Sequence, residues 1–84
     1  MYKEIERDAQ EQFGKCFDLM MSRNKKYGNS WRVLTIQSIA NLIEMKMHRI
    51  ANMSIQSLDP KTEDEFVDAA NYAIMGLMKL NEKN

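Results

Sequence analysis

The sequence predicts an all-α fold: an antiparallel three-helix bundle, a single domain over residues 1–84, that self-associates. Three observations lead there. Three segments carry apolar residues at spacings of three and four, the mark of amphipathic helices. One proline and three glycines in 84 residues leave few helix breakers. A chain of this length lies near the lower limit at which one core sustains folding, so association with further copies is expected.

The first helix is predicted over 3–26, where Ile5, Ala9, Phe13, Cys16, Phe17 and Met20 form the apolar arc. Glu4, Glu6, Arg7, Glu11 and Lys15 fall mostly outside it and read as a solvated face. Cys16 reads as a small core residue, because no histidine or acid stands near it in sequence to activate a thiolate. From Arg23 to Arg32 the helical period breaks, and Gly28-Asn29 supplies the left-handed backbone that a helix end requires. This first loop gathers cations, Tyr27, Ser30 and Trp31 around one glycine. Such a mixture suits phosphate contacts and stacking on a base, or an aromatic plug over the end of a bundle.

The second helix is predicted from Ile36 to about Met53, with Thr35 or Ser38 as its cap. His48 lies opposite the apolar stripe and is expected to be exposed. A linker from Ile55 to Lys61 contains the turn Asp59-Pro60, after which Thr62-Glu63-Asp64-Glu65 reads as a capping box. The last helix then runs to about Leu80. Phe66, Val67, Ala70, Ile74, Leu77 and Met78 form its expected apolar arc, beside a polar stripe of Asp64, Asp68, Asn71 and Tyr72.

Charge and composition restrict function. Twelve basic and twelve acidic side chains cancel, so no global field draws the chain to nucleic acid, and duplex DNA is not an expected partner. One cysteine rules out an internal disulfide or a cysteine zinc cluster, nothing at the N-terminus reads as a signal peptide, and no apolar run is long enough for a membrane span. A cytoplasmic protein without membrane contact is expected. Eight methionines suggest an adaptable core or interface.

One charge stands out. Ile39, Leu42, Ile43, Ile50 and Met53 share an arc of the second helix, and Lys46 falls inside it with Arg49 at its edge. A lysine there must snorkel, pair with an acid or meet an anionic ligand, since an unpaired buried ammonium is too costly to keep. The acids of the last helix could supply a partner. A sequence expectation follows: Lys46 and Arg49 face the Asp68–Asn71 stripe and floor an anion pocket that the Tyr27-to-Trp31 loop closes.

Lys26-Tyr27-Gly28-Asn29-Ser30-Trp31-Arg32, then Ser38, Ile43, Lys46, Arg49 and Ile50, then Glu63-Asp64-Glu65-Phe66 with Asp68, Asn71-Tyr72 and Leu77, resemble the nucleotide modification associated domain, type 1. The resemblance covers roughly residues 20–80. That family of small helical proteins occurs in bacteriophages and bacteria and is linked by genomic context to nucleotide metabolism or modified bases. The resemblance implies a nucleotide ligand, fixes no reaction, and places emphasis on Tyr27, Ser30, Trp31, Lys46, Arg49, Asp68 and Asn71.

Two functional classes then compete. In one, the chain binds a nucleotide or cyclic nucleotide without turnover, needs no cofactor, and serves a phage by sequestering a signal of host defence in the host cytoplasm. Its expected ligand-binding set is Lys26, Tyr27, Ser30, Trp31, Lys46, Arg49, Asp68, Asn71 and Tyr72. In the other, Glu65 and Asp68 hold Mg²⁺ for nucleotide pyrophosphohydrolysis. An E-x-x-E pair on a preceding helix, the second half of such a site, is missing: Glu4, Glu6 and Asp8 lack the spacing and Glu44 stands alone. The binding class is preferred. A protein-binding inhibitor of a host nuclease is a third possibility.

Overall fold

The computed structural model describes residues 2–53 and 60–82, and among these it contains three α-helices and no strand. Helix α1 spans Tyr2–Tyr27, α2 spans Ile36–Ala51 and α3 spans Pro60–Leu80, with a 3₁₀ turn at Ser30–Val33. Helix α1 continues through Tyr27 although Ser22 to Lys26 carry no apolar side chain, so the expected loop from Arg23 contracts to Gly28-Asn29. Gly28 adopts φ 65°, the left-handed backbone that ends α1, and Lys25 and Lys26 in the last turn complement its dipole.

Of the two cap candidates of α2, one takes the N-cap and the other completes a capping box at N3. Thr35 is the N-cap, its Oγ1 accepting from the Ser38 amide at 3.0 Å, while the Thr35 amide donates to Ser38 Oγ at 2.9 Å. The reciprocal pair satisfies two donors that a helix start would leave open. At the other end α2 stops at Ala51, two residues before the expected Met53. The Asn52 side chain there donates to the His48 carbonyl at 2.8 Å, and His48 is exposed.

The capping box expected at Thr62–Glu65 is corrected. Pro60 is already helical, and its fixed φ and missing N–H suit a first turn. Thr62 is therefore inside the helix, and its hydroxyl donates to Met53 Sδ at 3.4 Å. The part of the expected linker from Ile55 to Asp59 lies outside the described residues.

Helices α2 and α3 run antiparallel as the main packed pair: Met53 meets Thr62, Lys46 meets Glu65 and Asp68, and Ile39 lies beside Gly76. Helix α1 crosses α3 in the same direction, with Lys15 3.8 Å from Glu63 and Arg23 2.8 Å from Asp68. The buried positions are few: Cys16 on α1, Ile39 and Lys46 on α2, and Ala69 and Asn71 on α3. Cys16 is thus the small core residue the sequence suggested.

Two apolar arcs depart from expectation. On α1 the first half of the stripe is open, with Ile5, Phe13 and Phe17 all exposed. On α3 most of the expected core arc is open, since Phe66, Ala70, Ile74, Leu77 and Met78 are exposed and Val67 is half-buried, while Asp68, Asn71 and Tyr72 of the polar stripe turn in and Asp64 stays exposed. Ion pairs cause this inversion: Glu65 and Asp68 reach the cations of α1 and α2, which commits that side of α3 to the interior.

The chain is correspondingly open. Its accessible surface is 7057 Å², against about 5,200 Å² for a compact monomer of 9.9 kDa. Its radius of gyration is 14.4 Å, where a close-packed domain of this length has about 12 Å. No helix among the described residues is long and apolar enough to cross a membrane.

Candidate functional site

Two features occupy the inner side of α3. The first is an ion cluster. Lys46 Nζ lies 3.1 Å from Asp68 Oδ2 and 3.3 Å from Glu65 Oε2, Arg49 lies 3.7 Å from Glu65, and Arg23 donates to Asp68 Oδ1 at 2.8 Å. Three cations therefore surround two carboxylates. Position 46 arrives on the core-facing arc of α2 through the helical period, and the spacing of 65 and 68, one turn on α3, lets one ammonium meet both acids.

Electrostatics tie these groups to their charged forms. Burial alone would lower the pKa of Lys46, but hydrogen bonds to Asp68 and Glu65 and their negative charges outweigh it and hold the ammonium above its ordinary value. Burial would raise Asp68, yet hydrogen bonds from Arg23 and Lys46 and their charges hold its carboxyl below the usual range. The cluster fits an ion-pair network better than a metal site. The Lys46 ammonium already sits between the two carboxylates, so Mg²⁺ on Glu65 and Asp68 would have to displace it.

The second feature is a cleft of about 460 Å³, within the range of small-molecule sites. Helix α1 contributes Arg23, Asn24 and Tyr27, the 3₁₀ turn contributes Ser30, Trp31 and Arg32, and α3 contributes Tyr72, Met75 and Met78. Four of the chain's eight methionines line it, with Met20 and Met21 on the α1 side. The wall made by the 3₁₀ turn is tied to the end of α3. Lys79 donates to the Arg32 carbonyl, and the Arg32 guanidinium lies 3.3 Å from Glu82.

Rings and cations are interleaved at this cleft. Arg32 lies 5.6 Å from the Trp31 ring centre, and Lys26 lies 5.3 Å from the Tyr27 ring centre. Asn24 Oδ1 is buried without a hydrogen-bond partner among the described residues, which leaves an acceptor free for a donor group. Asn71, 2% exposed, has neither amide atom paired among the described residues.

Of the expected ligand-binding residues, Tyr27, Ser30, Trp31 and Tyr72 line the cleft, and Lys26 sits over one of its rings. Lys46, Arg49, Asp68 and Asn71 are not among the lining residues. Lys46 and Arg49 face the acids of α3, where the ion cluster holds them, and do not floor this cleft; Arg23, which lines the cleft and bonds Asp68, connects the two features. Arg23, Asn24 and Arg32 line the cleft as well, outside the expected ligand-binding set. Their signal was present in the cation-rich segment 23–32, but their direction depended on α1 remaining helical through Tyr27.

Residues 23–80 match the family model described as nucleotide modification associated domain 1. The match begins at Arg23 and takes in the cleft-forming end of α1, the 3₁₀ turn, α2 and α3. No curated protein and no solved structure matches the chain.

Proposed function

Because the chain belongs to the nucleotide modification associated domain 1 family, we propose that it binds a nucleotide or cyclic nucleotide in the cleft between α1, the 3₁₀ turn and α3. The observation that carries this reading is the meeting of Tyr27, Trp31 and Tyr72 with Arg23 and Arg32 around one opening. Aromatic faces accept a base by stacking, and Arg23 and Arg32, each meeting a carboxylate through one nitrogen, keep further N–H donors of the guanidinium for phosphate oxygens. The unpaired Asn24 Oδ1 offers an acceptor to a base N–H or ribose hydroxyl.

The ligand is retained and not turned over. Support comes from the acids: Glu65 and Asp68, the pair that hydrolysis would need for Mg²⁺, are engaged by Lys46, Arg49 and Arg23. Sequestration of a nucleotide signal of host defence by a phage protein in the host cytoplasm is the biological role this chemistry suits. The helices close into a bundle with those of further copies, an arrangement favoured by the excess surface of the single chain.

Calorimetric titration with linear and cyclic nucleotides tests the proposal. Binding should weaken by roughly 1.5–3 kcal/mol in Arg32→Met, the scale of a charge-assisted hydrogen bond. Failure of every nucleotide to bind the parent chain, or pyrophosphate release that Asp68→Ala abolishes, would overturn it.

A further inference from the structure

The outward face of α3 has a regular pattern that the cleft does not use. Phe66, Ala70, Ala73, Leu77 and Leu80 recur at spacings of four, three, four and three, the seam spacing of paired helices. All five are exposed, Phe66 by 54%, Leu77 by 60% and Leu80 by 66%. Ile74 flanks them and is also exposed. Between Phe66 and Asn81 the only charged residues are Asp68 and Lys79, and each has a side chain just 16% exposed and engaged in ion pairs. The outer face is thus both apolar and free of charge.

We infer that this face is the seam on which a second copy of the chain docks, α3 against α3, antiparallel across a two-fold axis near Ala73. Side-chain size is self-complementary in that arrangement: Ala73 meets Ala73, Leu77 fills the space over Ala70 of the partner, and Phe66 meets Leu80. The alanines allow close approach of the helix axes, and no like charges oppose one another. Antiparallel helix dipoles also favour this orientation. The single chain, its open α1 stripe included, exposes about 1,900 Å² more than a compact monomer of its mass, against about 800 Å² that a standard interface takes from each partner. This inference rests on the self-association proposed above and names its surface.

The test uses the full chain, with subunit mass measured by sedimentation equilibrium at tens of micromolar. Ala70→Glu and Leu77→Lys each place a charge on the seam at a position exposed in the single chain, so helix content by circular dichroism should match the parent. Each should raise the dimer dissociation constant by about 100-fold, because its charge has no partner to offset desolvation. Mixed one to one, the two variants should form a heterodimer, since Glu at 70 of one copy then meets Lys at 77 of the other. A monomeric parent overturns the seam and the self-association together. A parent dimer that both variants preserve, or that the mixture does not restore, overturns only the seam.

Discussion

Replacing Lys46 by methionine measures how far the ion cluster supports itself. Removing one member of a buried ion pair generally costs about 3–5 kcal/mol, because the remaining charge is stranded. Here neither acid is stranded. Asp68 keeps Arg23 at 2.8 Å and Glu65 keeps Arg49 at 3.7 Å. Those arginine side chains are about half exposed, so solvent screens their attraction and they compensate only in part. Methionine also retains the apolar contacts of the lysine stem. The net loss should be about 1–2 kcal/mol, below the cost for an isolated buried pair. Urea unfolding followed by circular dichroism, at fixed protein concentration, gives this value. A cycle with Asp68→Asn should return a coupling of about 1–2 kcal/mol, the double variant losing less than the two single losses together. A loss of about 4 kcal/mol or more would mean that the arginines give no support, and a coupling of zero would mean the 3.1 Å contact between Lys46 and Asp68 contributes nothing.

The same cluster sets a pH window. Asp68 has its folded pKa lowered, so its stabilising contribution is present above its unfolded value and is lost as pH falls through the folded value; Lys46 has its folded pKa raised, so its contribution is present below its unfolded value and is lost as pH rises through the folded one. Urea midpoints should therefore be flat near neutrality from these groups, fall in acid below the usual carboxylate range, and fall again in strong base, with the alkaline fall reduced in Lys46→Met. At Gly28, where no atom would crowd an added Cβ but φ is 65°, Gly28→Ala should cost about 1–2 kcal/mol through backbone strain alone, as read by the same unfolding assay.

Several short-ranged signals in the sequence were legible, though not the capping box at Thr62–Glu65, which the earlier helix start at Pro60 pre-empts. The Thr35–Ser38 cap, the left-handed Gly28 and the anomalous Lys46 each depend on a few neighbouring residues, and each appears in the structure at its expected place. The pairing of Lys46 with acids of α3 was foreseeable for a related reason: a buried ammonium requires a carboxylate, and one segment carried them at turn spacing. The inward face of α3 was not legible. Apolar periodicity locates a stripe that avoids water but does not say whether it meets the same chain or another one, and on α3 the ion pairs took the inner side. The cleft was half legible. Tyr27 and Trp31 stood in one segment and Tyr72 in the polar stripe of the last helix, whereas Met75 and Met78 reach it only through the crossing of α1 over α3.

The most direct measurement of the central claim, that the cleft is the nucleotide site, uses the fluorescence of Trp31, the chain's single tryptophan and part of the cleft wall. Titration with a panel of linear and cyclic nucleotides should give saturable quenching or a spectral shift for at least one of them. Tyr27→Ala and Arg32→Met should weaken that response, while Lys46→Met, which alters the ion cluster and not the cleft wall, should leave it nearly unchanged. A nucleotide that binds by calorimetry without altering Trp31 emission, or whose affinity depends on Lys46 and not on Tyr27 or Arg32, would contradict the assignment.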